Sequence, residues 1–101
     1  MSFPTPSESG YTIYSKSGCR YCEKAKKILT DYDFSIYMCD SYLRNDREGF
    51  LDFIKQKAGK EHETFPIIFK DSKYIGGYSD LLTLLRSELL SLIKDVYSSK
   101  D

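Results

Sequence analysis

Cys19-Arg20-Tyr21-Cys22 constrains this chain more than any other stretch, because it stands where a β-type run gives way to a helical one. Residues 11–14 (Tyr-Thr-Ile-Tyr) read as a strand, and Ser15-Lys16-Ser17-Gly18 as a turn. After Arg20, Cys22, Ala25, Leu29 and Tyr32 recur at helical spacing, while Glu23, Lys24, Lys26 and Lys27 take the wet side. The first sulfur is thereby set at a helix N-terminus, where unpaired backbone N–H groups and the macrodipole favour an anion. A thiolate is such an anion, and the thiolate is the form that attacks disulfides. The second sulfur lies one turn on along the same face and can close a ring with the first. The pair reads as a redox site.

The remaining pattern sets the architecture. Helix one is predicted over about Tyr21–Tyr32, and Phe34–Cys39 gives a second strand. A second helix is predicted from about Leu43 to Ala58, with Phe50, Phe53, Ile54 and Lys57 along one side and Gly59 as its stop. Lys60-Glu61-His62-Glu63 reads as a charged loop before a proline-initiated strand, Thr64–Phe69. Asp71-Ser72 turns into a short strand at Lys73–Ile75, Gly76-Gly77 breaks it, and a long helix follows to about Tyr97. Leu81, Leu85, Leu89, Leu92 and Val96 mark the expected buried stripe of that helix, a core stripe and not a zipper. The order is β-α-β-α-β-β-α. Strand–helix–strand implies a parallel pair with a right-handed crossover, and the short final turn implies an antiparallel hairpin. A mixed four-stranded α/β sheet with helices on both faces satisfies both.

At 101 residues the chain makes one domain, expected over 11–97, with residues 1–10 as a flexible arm and 98–101 as a frayed tail. The Ser/Pro-rich arm has neither a basic start nor an apolar core and reads as no signal peptide. No apolar run approaches the roughly 18–20 residues of a membrane span, so no membrane partner is expected. Lys plus Arg (15) balance Asp plus Glu (15), which removes the global field that nucleic acid or an anionic membrane would require. Three cysteines make no disulfide framework, and one Cys-x-x-Cys beside a βαβ pattern indicates a reducing, cytoplasmic setting. Zinc would want a second close ligand pair, and Cys39 and His62 are isolated, so no metal site is expected. Cys39 reads as a packed core thiol and His62 as a solvated loop residue.

The chain resembles the glutaredoxins, small thioredoxin-fold oxidoreductases that use glutathione. The resemblance covers about residues 10–97 and rests on three separated blocks: Tyr14-Ser15-Lys16-Ser17-Gly18-Cys19-Arg20-Tyr21-Cys22, Thr64-Phe65-Pro66, and Gly76-Gly77-Tyr78-Ser79-Asp80-Leu81. It implies Cys19 as nucleophile and Cys22 as resolving thiol. It also implies a glutathione site built from Lys16, Tyr21, Thr64, Phe65, Pro66, Gly77, Tyr78, Ser79 and Asp80. Pro66 is then a cis-proline facing the active site, leaving the Phe65 backbone free to pair with an extended peptide. Ser79 and Asp80 start a helix that receives the γ-glutamyl carboxylate, and Lys16 meets the glycine carboxylate or steadies the Cys19 thiolate.

Two departures from the family pattern stand out. Arg20 replaces the usual proline between the cysteines. One helix-terminal charge contributes about 0.3–1 kcal/mol, below the roughly 1.4 kcal/mol of one pKa unit, so Arg20 tunes the thiolate without creating it. Leu51 falls near the position where many relatives carry a Gln or Arg that touches the glycine carboxylate. The expected partners are glutathione and glutathionylated or disulfide-bonded client proteins, met by a monomer. Two other readings stay open: a glutathione-ligated [2Fe–2S] cluster dimer, which loss of the inter-cysteine proline keeps alive but does not favour, and a dedicated donor to ribonucleotide reductase.

Overall fold

The strand that feeds the turn before Cys19 is buried along its whole length, and the fold is organised around it. The structure is a computed structural model that describes residues 2–98, with side chains placed through Lys94. In β1 (Tyr11–Ser15) all five residues are buried, so both of its faces need cover. It pairs parallel with β2 (Phe34–Met38), from Tyr11 opposite Phe34 to Ser15 opposite Met38. On its other edge it runs antiparallel to β3 (Ile67–Lys70), with Tyr11 opposite Lys70 and Tyr14 opposite Ile67. β3 turns at Asp71-Ser72, both at positive φ, into the antiparallel β4 (Lys73–Gly76). The sheet order is β2-β1-β3-β4. The helices are α1 (Arg20–Ile28), α2 (Asp40–Asn45), α3 (Arg47–Ala58) and α4 (Tyr78–Ser98).

Alternation along the strands divides the core in two. Tyr11, Ile13 and Ile68 face α1 and α4, where they meet Ala25, Leu29 and Leu81. Tyr14, Ile67 and Phe69 face the other way and pack with Cys39 and with Phe50 and Ile54 of α3. Each fully buried Leu, Ile or Phe contributes about 1.5–3 kcal/mol of transfer free energy. The two layers pin β1, and hence Cys19, from both sides.

In three places the structure corrects the expectations drawn from sequence, and in one, the arm, it adds contacts to them. The single second helix is two helices, broken at Asp46, whose side chain accepts from the Gly49 N–H at 3.1 Å and caps α3. The strand after Pro66 begins at Ile67, leaving Thr64-Phe65-Pro66 as a loop. The arm expected to be flexible makes contacts with the domain: Phe3 lies 5.3–5.4 Å from the rings of Tyr42, Phe50 and Phe53. Tyr14 Oη donates to the Pro4 carbonyl at 2.6 Å, and the Ser7 N–H donates to Thr12 Oγ1 at 2.9 Å. The stripe of α4 is buried only at its start. Leu81 is fully buried and Leu85 half-buried, but Leu89 and Leu92 are 58% and 63% exposed because α4 outruns the sheet it packs on. The Val96 side chain and residues 99–101 lie outside the described residues.

Candidate active site

Cys19 is the N-cap of α1 in an extended backbone conformation, and its Sγ accepts from the Cys22 N–H at 3.2 Å. The two cysteines are joined as a disulfide with Cα atoms 5.2 Å apart. Their surroundings differ sharply. Cys22 is fully buried on the core side of α1, whereas Cys19 is half-buried at the helix mouth. Only Cys19 is open to an incoming thiol. The Cys22 N–H and the helix terminus favour a thiolate on Cys19. The Phe65 carbonyl oxygen, 3.5 Å from Cys19 Sγ, opposes this by offering an acceptor to the protonated thiol.

The loop before Cys19 is tied down from outside its own segment. The Ser17 N–H donates to both oxygens of Asp40 at 3.1 and 3.3 Å, and these bonds hold the Asp40 carboxyl below its ordinary value. Sequence reading missed Asp40. It is the first residue of α2, which the pattern placed in a linker, and its partner is far away in the chain.

Beside the cysteines lies a cleft of about 470 Å³ lined by Tyr21, His62, Thr64, Phe65, Pro66, Gly77, Tyr78, Ser79 and Asp80. The structure therefore brings together Tyr21, Thr64-Phe65-Pro66 and Gly77–Asp80, three blocks far apart in sequence. The Phe65–Pro66 peptide is cis. Tyr21 and Tyr78 approach across the cleft with centroids 5.6 Å apart. Lys16 stays outside the lining, exposed, with Nζ 5.5 Å from the centre of the Phe65 ring. Arg20 is likewise exposed, in the first turn of α1.

The two glycines before α4 differ in their purpose. A Cβ on Gly76 would overlap the Asp80 carboxylate, and its φ of +132° suits glycine. A Cβ on Gly77 would meet only ordinary contacts, 3.7 Å from the Pro66 carbonyl oxygen and 3.8 Å from His62. Asp80 Oδ2 accepts from the Gly77 N–H at 2.9 Å, a reach-back that closes the first turn. The amides of Tyr78 and Ser79 have no acceptor within the helix, and both residues line the cleft.

His62 also lines this cleft, which corrects its reading as a solvated loop residue. It is half-buried, and its Nδ1 pairs with Tyr74 Oη of β4 at 2.5 Å. Burial is the main reason its pKa falls below the ordinary imidazole value. Lys60 adds to the drop, while Asp80 and the Thr64 backbone oppose it. Cys39 is buried and free, its thiol pushed up to about 12 by burial.

A Cys-x-x-Cys at a helix N-terminus, with one sulfur accessible and one buried, on this mixed sheet, defines a thiol–disulfide oxidoreductase of the thioredoxin-like fold. The glutaredoxin family model matches residues 11–75. Glutaredoxin 1 of Escherichia coli is 38% identical over 82 residues, spanning 76% of this chain and 93% of that protein. The mitochondrial glutaredoxin-2 of Mus musculus is 31% identical over 97 residues, 95% of this chain and 61% of that protein. The crystal structure of glutaredoxin 1 from Francisella tularensis superposes with a TM-score of 0.67 at 31% identity, covering 78% of this chain and 94% of that one. This chain belongs to the glutaredoxin family.

Proposed function

We propose that the protein is a glutathione-dependent oxidoreductase that reduces protein–glutathione mixed disulfides and protein disulfides. The observation that carries this reading is the cleft: Phe65, cis-Pro66 and the start of α4 line one groove of tripeptide scale, and the Cys19 sulfur lies 3.5 Å from the Phe65 carbonyl oxygen. An extended γ-glutamyl peptide would lie along Phe65, its γ-glutamyl carboxylate at the Tyr78 and Ser79 amides and its amino group near Asp80. Lys16, over the Phe65 ring, would meet the glycine carboxylate.

In the reductive direction the Cys19 thiolate attacks the glutathione sulfur of a mixed disulfide. A new S–S bond forms to Cys19, and the client sulfur leaves as a thiolate that takes a proton from water. A second glutathione thiolate then attacks the glutathione sulfur on Cys19. Glutathione disulfide departs and the electron pair returns to Cys19. For a protein disulfide, Cys22 attacks the Cys19–client bond, releases the client thiolate and closes the Cys19–Cys22 disulfide seen here. The exposure difference gives Cys19 the outward role and Cys22 the resolving one. Such traffic belongs in a reducing compartment, in our reading the cytoplasm.

The test is turnover of a glutathionylated peptide, with glutathione and its reductase compared against thioredoxin reductase. Turnover is expected only in the first system, with Cys19→Ser inert and Cys22→Ser still active on the mixed disulfide. Activity of Cys19→Ser, or recycling by thioredoxin reductase alone, overturns the proposal.

A further inference from the structure

His62 is the residue of this cleft that the reaction above leaves unused. Its Nδ1 meets the Tyr74 hydroxyl, and its Cε1–Nε2 edge faces Gly77, 3.8 and 3.9 Å from the position a Cβ would take there. Assigning the Tyr74 hydroxyl as the donor to Nδ1 leaves the imidazole proton on Nε2. Burial raises the Tyr74 phenol above its ordinary value, so this donor keeps its proton through the neutral range. The imidazole thus carries an N–H beside the start of α4, where Gly77 supplies no side chain to intervene.

We propose that His62, oriented by Tyr74, determines specificity in this cleft by donating its Nε2–H to the carboxylate of a glutathione moiety seated at the start of α4. The inference rests on the glutathione reading and adds to it a residue and a pH response. Several charges bear on the ring. Asp80 of α4 draws a proton toward it, and Lys60 on its own loop resists this. On its far side a smaller hollow carries Asp52 and Lys55 of α3 with Glu61 and Glu63, and there Lys55 and Glu61 offset each other at 3.8 Å. With burial opposing the charged form, free His62 is neutral at pH 7. A bound carboxylate favours the cation, so by linkage it raises the His62 pKa, and acid tightens binding. The Tyr74 contact survives protonation, because the phenol oxygen also accepts.

His62 is the sole histidine, so its ring proton reports without ambiguity. The experiment titrates the disulfide form of the full chain with S-methylglutathione, which has no thiol to react, at pH 7.5 and 5.5 by NMR and calorimetry. A charged donor replacing a neutral one tightens the wild-type Kd about fivefold on acidification. The His62 midpoint rises when the ligand saturates. His62→Ala weakens binding about threefold to tenfold at pH 7.5 and abolishes the pH response. His62→Gln restores a neutral donor and so recovers the pH 7.5 affinity, but not the response. Tyr74→Phe keeps the ring, loses its orientation and weakens binding.

If wild type binds the probe while His62→Ala and His62→Gln match it at both pH values, the role of His62 is overturned and the glutathione reading stands. An unmoved His62 midpoint at saturation has the same meaning. If wild type binds no probe at millimolar concentration, the glutathione reading fails and this inference fails with it. Should His62→Ala not fold, the Tyr74→Phe variant and the wild-type midpoint decide the matter.

Discussion

Removing one ring from the N-terminal arm tests whether the arm is part of the folded body. Phe3 is half-buried against Tyr42, Phe50 and Phe53, with two of the three pairs in edge-to-face geometry. Full burial of a phenylalanine stabilises by about 1.5–3 kcal/mol, so half-burial gives about 1. Aromatic geometry adds about 0.5–1.5 kcal/mol per pair. The partners still have each other, Tyr42 and Phe50 stacking at 5.4 Å, so about 1 kcal/mol in total is lost from that source. Phe3→Ala should therefore destabilise by about 2 kcal/mol. For a domain of this size that lowers Tm by about 8–16 °C. Circular-dichroism melts of the disulfide form keep the redox state fixed, and Phe3→Leu should recover about half of the loss. A Phe3→Ala melt within about 2 °C of wild type would show that the arm contributes nothing and refute the packing argument.

Further outcomes follow from the glycines before α4 and from the buried Cys39. Gly76→Ala forces a Cβ into the Asp80 carboxylate at a φ of +132°; a cost of about 1–3 kcal/mol and a raised KM for glutathione are expected. Gly77→Ala, with ordinary contacts only, should leave the melt unchanged and raise KM by narrowing the cleft, and equal melts for both variants would contradict this account. In the reduced native protein at pH 8, Cys39 should resist a thiol reagent until denaturant is added, since burial raises its pKa to about 12. A raised folded-state value means full stability below the unfolded thiol pKa of about 8.5. Above it stability should fall by about 1.4 kcal/mol per pH unit toward the folded value, and Cys39→Ala should flatten that slope between about pH 8.5 and 9.5.

The sheet was legible in the sequence because its information is local. The Tyr-Thr-Ile-Tyr run and the Ile67-Ile68-Phe69 run declare buried strands, and the Gly-Gly before α4 declares a helix start. The cleft was legible by resemblance: the blocks quoted for it converge in space, Lys16 excepted. What escaped notice depends on partners far along the chain. His62 meets Tyr74 with β3 between them in the chain, and Ser17 meets Asp40 with α1 and β2 between them. Apolar periodicity ran unbroken through Leu43 and Phe50, so it masked the break at Asp46, although Asp is a favoured N-cap residue. The Ser/Pro composition of the arm concealed one anchoring ring. Along α4 the period continues past the edge of the sheet, and a period alone says nothing about where cover ends.

The unequal burial of the two sulfurs makes the site one-sided. In the proposed cycle a macromolecular partner would be tethered through Cys19, while the sulfur that would cut the tether lies inside the core. Release from within would then proceed at a pace set by the fold, beside whatever release glutathione achieves from outside.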